Sequence, residues 1–157
     1  WRWIFDGGPG SVLDPAPEAP PGAAIPALAV AAQGTGSAAE AVRQVQALEA
    51  GIATAGDLAP HLAADARVYR RQRARAEGGA ASIENSRQPD PGVRYRLVRT
   101  EASGTGDLAF TLGEASWQAG DVARAGAFAR IWQYRDGGWV IVYDQLVEQP
   151  PPRPAGG

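Results

Sequence analysis

A chain containing GAFARIWQYRDGGWVIVYDQLV, residues 126–147, is committed to a long β-hairpin. Phe128, Ile131, Trp132 and Tyr134 precede Asp136-Gly137-Gly138, and Val140, Ile141, Val142 and Tyr143 follow it. β-Branched and aromatic side chains fit a pleated, half-buried surface. Asp-Gly marks a tight primed turn, whose central residues need positive φ. Two antiparallel strands carrying five aromatics result.

The period of two extends upstream. Val93, Tyr95 and Leu97 alternate with Arg94 and Arg96, Ser103 to Gly106 turns, and Leu108, Phe110 and Leu112 form the apolar face of a strand reaching about Trp117. Ala119 to Asp121 turns again into Arg124–Arg135, and Trp139–Val147 closes the meander. Before the strands the period is helical. Ser37 with Glu40 three residues on forms a capping box, and Ala38, Ala41, Val42, Val45, Leu48 and Ile52 make one apolar face ending at Gly56. Asp57 is expected to cap a second helix, Leu58–Ala64, that buries Leu58 and Leu62. A short strand at Ala66–Arg70 and a short helix within Gly78–Ser86 precede the breakers Pro89 and Pro91. Helices grouped ahead of an antiparallel sheet specify an α+β fold with the helices on one face.

Composition sets the limits. Gly7–Pro26 and Pro150–Gly157 are rich in Pro, Ala and Gly and cannot bury enough apolar surface to offset their ordering entropy. The expected organisation is a strand-like segment at 1–8, a linker at 9–36, one domain at 37–148 and a disordered tail at 149–157. The 15 basic residues, all Arg, face 17 acidic ones, and this balance gives no electrostatic case for nucleic acid. The one basic run, Arg67, Arg70, Arg71, Arg73 and Arg75, reads as a solvated strand end and loop. With no Cys there is no disulfide, zinc–thiolate site or thiol nucleophile. One His cannot make a multi-His metal site, so no metal and no cofactor are expected. No apolar run is long enough for a transmembrane helix, and Ala23–Ala32 lacks the basic flank of a secretion signal. With no Met and Trp1 in front, the chain is expected to be a processed or truncated product whose compartment stays open.

Residues 1–8, WRWIFDGG, share a pattern with Trp139–Leu146, WVIVYDQL: Trp, two residues, apolar, aromatic, Asp. Two readings stand: the last strand of a preceding similar domain, or a strand docked on this domain through Trp1, Trp3 and Phe5.

LAPHLAADARVYR (58–70), GDLAFTLGEASW (106–117) and FARIWQYRDGGWVIVYDQ (128–145), in this order, resemble the nuclear-transport-factor-like superfamily, with its ketosteroid-isomerase-like and SnoaL-like members. The third piece is the most specific: an aromatic-rich strand, a charged-Gly-Gly turn, Trp, branched residues and an aromatic-Asp close. The resemblance implies a cone, a strongly bent sheet wrapped around helices with a pocket inside, and a homodimer through the outer sheet face. It also implies acid–base pairs of Asp, His or Tyr in the cone. The place near the closing strand's end where SnoaL-like relatives carry a His holds Tyr143 and Gln145 here, which weighs against an isomerase or cyclase.

Strict alternation puts Trp139, Ile141, Tyr143 and Gln145 on one face of the closing strand and Val140, Val142, Asp144 and Leu146 on the other. On the preceding strand Phe128, Arg130, Trp132 and Tyr134 share a face, opposite a small-residue face, Ala125, Ala127 and Ala129, where a helix could come close. Asp144, if buried in a pocket, would have its pKa raised by desolvation and serve as acid or base; otherwise it partners Arg130 or another Arg. Tyr143 is the second catalytic candidate. Tyr69, Tyr95, Phe110, Trp117, Arg130, Trp132 and His61 are the candidate ligand contacts. Three functions compete: binding of a small apolar molecule in the cone, acid–base catalysis by Asp144 with a pocket Tyr, and dimerisation through an open sheet face.

Overall fold

The computed structural model describes residues 34–70, 76–87 and 92–149. The segment 1–8, most of the linker, Arg71, Arg73, Arg75 and the tail from 150 lie outside the described residues. Helix α1 spans Ala38–Ala55 and a 3-10 turn spans Ala59–His61. Then come β1 (Leu62–Arg70), β2 (Ala76–Glu77), α2 (Gly79–Ser86), β3 (Arg94–Ala102), β4 (Leu108–Ala119), β5 (Val122–Arg135) and β6 (Gly138–Glu148). The strands form one curled sheet in the order β2-β1-β6-β5-β4-β3. All neighbours are antiparallel except β1 and β6, which run parallel.

The expected hairpin is present. Arg135 pairs with Gly138, and Asp136 and Gly137 have φ of 50° and 83°, as a primed two-residue turn requires. Helix α1 starts at Ser37, whose side chain accepts from the Glu40 amide, and stops at Gly56 in the left-handed region. Only half of the capping box forms, because the Glu40 carboxylate turns to Arg43 and Gln44 instead of the Ser37 amide.

The second helix expected at Leu58–Ala64 is absent. Asp57 accepts from the Ala59 amide at 2.9 Å, but Leu58 takes the N-cap place and the turn lasts three residues. Leu62 pairs with Ile141 of the closing strand instead of continuing the turn, so β1 is longer than the expected Ala66–Arg70. His61 therefore sits on a turn, not on a helix.

Three register shifts shape the sheet: between Leu62 and Arg67 on β1, between Leu97 and Arg99 on β3, and opposite Ile131–Trp132 on β6. On β6, Tyr143 faces Ile131 and Ile141 faces Trp132, so Val142 is the extra residue. Bulges bend a strand and increase its twist. This one also corrects the strict alternation expected for the closing strand. Trp139 and Ile141 face the interior, and beyond Val142 the interior face passes to Asp144 and Leu146.

The core lies on the concave side, where α1 crosses β3 and β4. Ala41, Val45 and Ile52 of α1 have no exposure and meet Tyr95, Trp117, Phe128, Trp132, Ile141 and Leu146. Burying each Val- or Ile-sized side chain contributes about 1.5–3 kcal/mol. The helix thus covers the large-residue face of β5, contrary to the expectation for the alanine face; Ala125 and Ala127 are exposed. Leu108, Phe110 and Leu112 also point outward. The inward residues of β4 are Ala109, Thr111, Gly113 and Ala115, and these small groups leave room for the Phe128, Arg130 and Trp132 side chains paired opposite them. A Cβ on Gly113 would fall inside the Phe128 ring's contact distance and against the Arg96 carbonyl. Gly113→Ala is expected to destabilise the domain by about 1–3 kcal/mol in denaturant unfolding, as overpacking does.

Candidate functional site

The closing hairpin, β1 and α1 converge on four buried charges. Arg130 on β5 is fully buried and pairs directly across the ladder with Asp144, 1% exposed, on β6. Arg130 Nε donates to Asp144 Oδ1 at 2.8 Å, and Arg130 Nη1 donates to Glu49 Oε2. Arg70 Nη1 lies 2.5 Å from Asp144 Oδ2 as an ion pair. Glu49 Oε1 accepts from Thr111 Oγ1 at 2.6 Å and from Trp132 Nε1 at 3.1 Å. Two guanidiniums face two carboxylates, so the cluster's formal charge is zero. The Arg130 guanidinium also lies over Tyr95 and Phe128, 4.4 and 4.2 Å from their ring centroids. Its Nη2 has no hydrogen-bond acceptor among the described residues.

The carboxylate expected to be raised in pKa is lowered. Burial alone would push Asp144 up, but the Arg70 and Arg130 charges outweigh it and hold the carboxyl below its ordinary value. Burial likewise opposes the charge on Arg130, and Asp144 and Glu49 more than restore it, leaving that group raised. Burial is also the main reason that the Tyr95 hydroxyl titrates above its ordinary value, with Asp144 adding to it. Arg70, read from sequence as part of a solvated run, is 5% exposed and anchored here, donating also to the Tyr69 carbonyl.

Arg130, Trp132, Tyr95 and Asp144 therefore meet on the concave side. His61 stands beside them, its ring 6.0 Å from that of Trp132. Trp117 is buried on the same face, toward Gly126. Tyr69, Phe110 and Tyr143 are on the opposite, convex face. Phe110 pairs with Ile131, Ile131 with Tyr143, and Tyr143 leans on Tyr69 at 5.2 Å. Tyr143 donates to Gln145 Oε1 at 2.5 Å, and burial, with Tyr69 and Asp144 nearby, pushes its hydroxyl up to about 12. Asp144 and Tyr143, the two catalytic candidates, thus occupy opposite faces of the sheet.

Sequence reading missed Glu49, Arg70 as a core residue, and Thr111. Glu49 was visible in principle: it falls four residues after Val45 and three before Ile52, on the helix's apolar stripe. Beside the cluster, Tyr134 and His61 are half-buried at the edge of the concave side, next to the buried Trp139 and Trp132. Tyr134 packs edge-on against Trp139 at 5.4 Å, Trp139 Nε1 donates to Gln44 at 2.9 Å, and His61 completes the rim beside Trp132.

No family model matches the chain, and no curated protein does. Solved structures do match in fold. One is an NTF2-like protein of unknown function from Pseudomonas putida KT2440, at 15% identity and TM-score 0.56, over 71% of this chain and 88% of that one. An LEH-like epoxide hydrolase from M. tuberculosis is 18% identical, with TM-score 0.50, over 71% and 80%. A ketosteroid isomerase candidate from Kribbella flavida is 15% identical, with TM-score 0.50, over 76% and 85%.

Removing one member of a buried ion pair strands its partner's charge, at about 3–5 kcal/mol. Glu49→Ala and Asp144→Ala are each expected to lose stability on that scale in urea unfolding. Because the folded Asp144 pKa is depressed, its contribution is present above the unfolded value near 3.8 and lost as pH falls through the lower folded value. Thermal midpoints followed from pH 5 downward should fall more steeply for the parent chain than for Asp144→Asn; parallel curves would remove Asp144 from the acid response.

Proposed function

From the nuclear-transport-factor-like fold of this chain, we propose that the domain binds a small, largely apolar molecule at the aromatic rim of its concave face and does not use Asp144 as a base. The observation that carries this reading is the contrast between the two layers of that face. Below, the carboxylates are occupied by guanidiniums; at the edge, His61 and Tyr134 are only partly covered, beside the buried Trp139 and Trp132 rings. Small-molecule sites are mostly apolar and aromatic with a few polar groups that fix orientation. Acid–base catalysis would need a carboxylate free to accept a proton. Asp144, between two arginines, is poorly suited to that, and Tyr143 is on the wrong face to assist it.

A neutral fluorescent probe, N-phenyl-1-naphthylamine, tests the reading. Saturable single-site binding is expected, weakened about threefold to tenfold in Tyr134→Ala by loss of one aromatic contact, with Tyr69→Ala on the convex face unchanged. Binding that does not saturate, or that both variants weaken equally, would defeat it.

A second reading concerns the convex face, which supports a homodimer alongside ligand binding. Ile131 and Val147 remain 38% and 42% exposed there, beside Phe110 and Leu112, with the Arg96–Glu114 ion pair at one edge. Contiguous exposed apolar surface of this kind is uncommon on monomers. Sedimentation should give a dimer mass for the parent chain and a monomer for Ile131→Arg; a monomeric parent chain would end this reading.

A further inference from the structure

Helix α2 lacks what normally holds a helix in a domain. Its buried side chains are Ser82, Asn85 and Ser86, at 1%, 6% and 7% exposure, whereas its Ala80, Ala81 and Ile83 are exposed. Most helices in proteins are stabilised by packing an apolar face, and a helix of only eight residues is marginal in water without one. No side chain caps its start either, since Gly78 holds the N-cap place without a side-chain hydrogen bond. Helix α1, by contrast, is capped by Ser37 and buries Ala41, Val45 and Ile52. We propose that α2 is a hinged flap that opens independently of the rest of the domain and uncovers the Arg70–Asp144 pair.

What holds the flap is polar. Ser82 Oγ donates to the Ala66 carbonyl at 2.7 Å and Asn85 Nδ2 to the Val68 carbonyl at 3.3 Å, both on β1. On opening, water takes over such bonds, so each adds little net stability. Segments with few buried apolar contacts are the ones that open at low cost. The hinge is Gly78-Gly79, with φ of 68° and 52°, a region that glycine enters without strain. Just before it the chain stays fixed: β2 pairs with β1 through Ala76 and Glu77, and the Gly78 amide donates to the Ala66 carbonyl at 2.8 Å. The far end of the flap lies on the charge cluster. Arg70 Nη2 donates to the Ser86 carbonyl at 3.5 Å while its Nη1 holds Asp144. Arg70 pairs in the ladder with Leu146, at the opposite end of β6 from Trp139 and the Tyr134 beside it. The flap therefore admits solvent to the cluster from the β1 side, separately from any ligand at Tyr134, and the two can fail independently.

Hydrogen exchange on the parent chain tests the opening. The amides of Ile83 to Ser86 should exchange about tenfold or more faster than those of Val45 to Glu49, at a rate that low urea barely changes, as local opening does. Equal protection of the two helices, or a urea dependence as steep as that of α1, overturns the proposal. Phenylglyoxal modification of arginine, mapped by peptide mass, tests the uncovering. Arg70, at 5% exposure, should react in the folded chain about tenfold or more faster than Arg130, at 0%; equal rates overturn the proposal. Ser82→Ala removes one of the flap's two side-chain anchors and should raise α2 exchange and Arg70 modification together, by about fivefold to tenfold. Faster exchange with Arg70 modification unchanged would mean that α2 frays without opening the cluster, and overturns it.

Discussion

Arg130 sits at zero exposure in the middle of the sheet, and the rest of the structure answers to it. A guanidinium cannot shed its proton, so its charge has to be neutralised where it stands. Asp144 does so from the neighbouring strand and Glu49 from the helix that crosses the sheet. Asp144 is then shared with Arg70, and Glu49 with Thr111 and the Trp132 indole. One charge thereby ties α1, β1, β4, β5 and β6 to a single arrangement. Replacing the cluster by well-packed apolar groups would not necessarily cost stability, whereas removing one member would. Its effect is therefore better described as fixing how helix and sheet meet than as adding to the core.

The bulge at Val142 makes this possible. Without the extra residue, Asp144 would point to the convex side, where Tyr143 now lies, and Arg130 would lack its nearest carboxylate. With it, the closing strand contributes Trp139 and Ile141 to the core at one end and Asp144 and Leu146 at the other. Small residues on the facing strand complete the arrangement. Gly113 accommodates the Phe128 ring, and Phe128 in turn covers one side of the Arg130 guanidinium. A single methyl group at position 113 would disturb the aromatic packing and the charge cluster together.

The two faces of the sheet consequently differ in what they offer. On the concave face the central acids and bases hold one another, and Tyr134 and His61 are partly exposed at its edge. The convex face keeps a row of apolar and aromatic groups, Phe110, Ile131, Tyr143 and Tyr69, running across four strands.

The sequence by itself determined the α+β order, the helix from Ser37 to Gly56, the Asp136-Gly137 hairpin and the four-strand meander. These rest on local rules: capping, turn φ angles and hydrophobic period act between residues close in the chain. It also carried the resemblance to the cone fold, and it offered Arg130 as a partner for Asp144. Only the tertiary structure decided which face is inside. On β4 both alternating sets are uncharged near the middle, so Leu108, Phe110 and Leu112 looked like core until the larger side chains of β5 occupied the space over Ala109, Thr111 and Gly113. The helix expected at Leu58–Ala64 yielded to pairing with β6, a contact about eighty residues away that no local preference reports. Glu49, Arg70 and the lowered pKa of Asp144 belong to the same class. The protonation of a buried carboxylate depends on which charges lie within a few ångströms of it, and that distance is set by a bulge and a helix crossing, neither of which is written in the spacing of neighbouring residues.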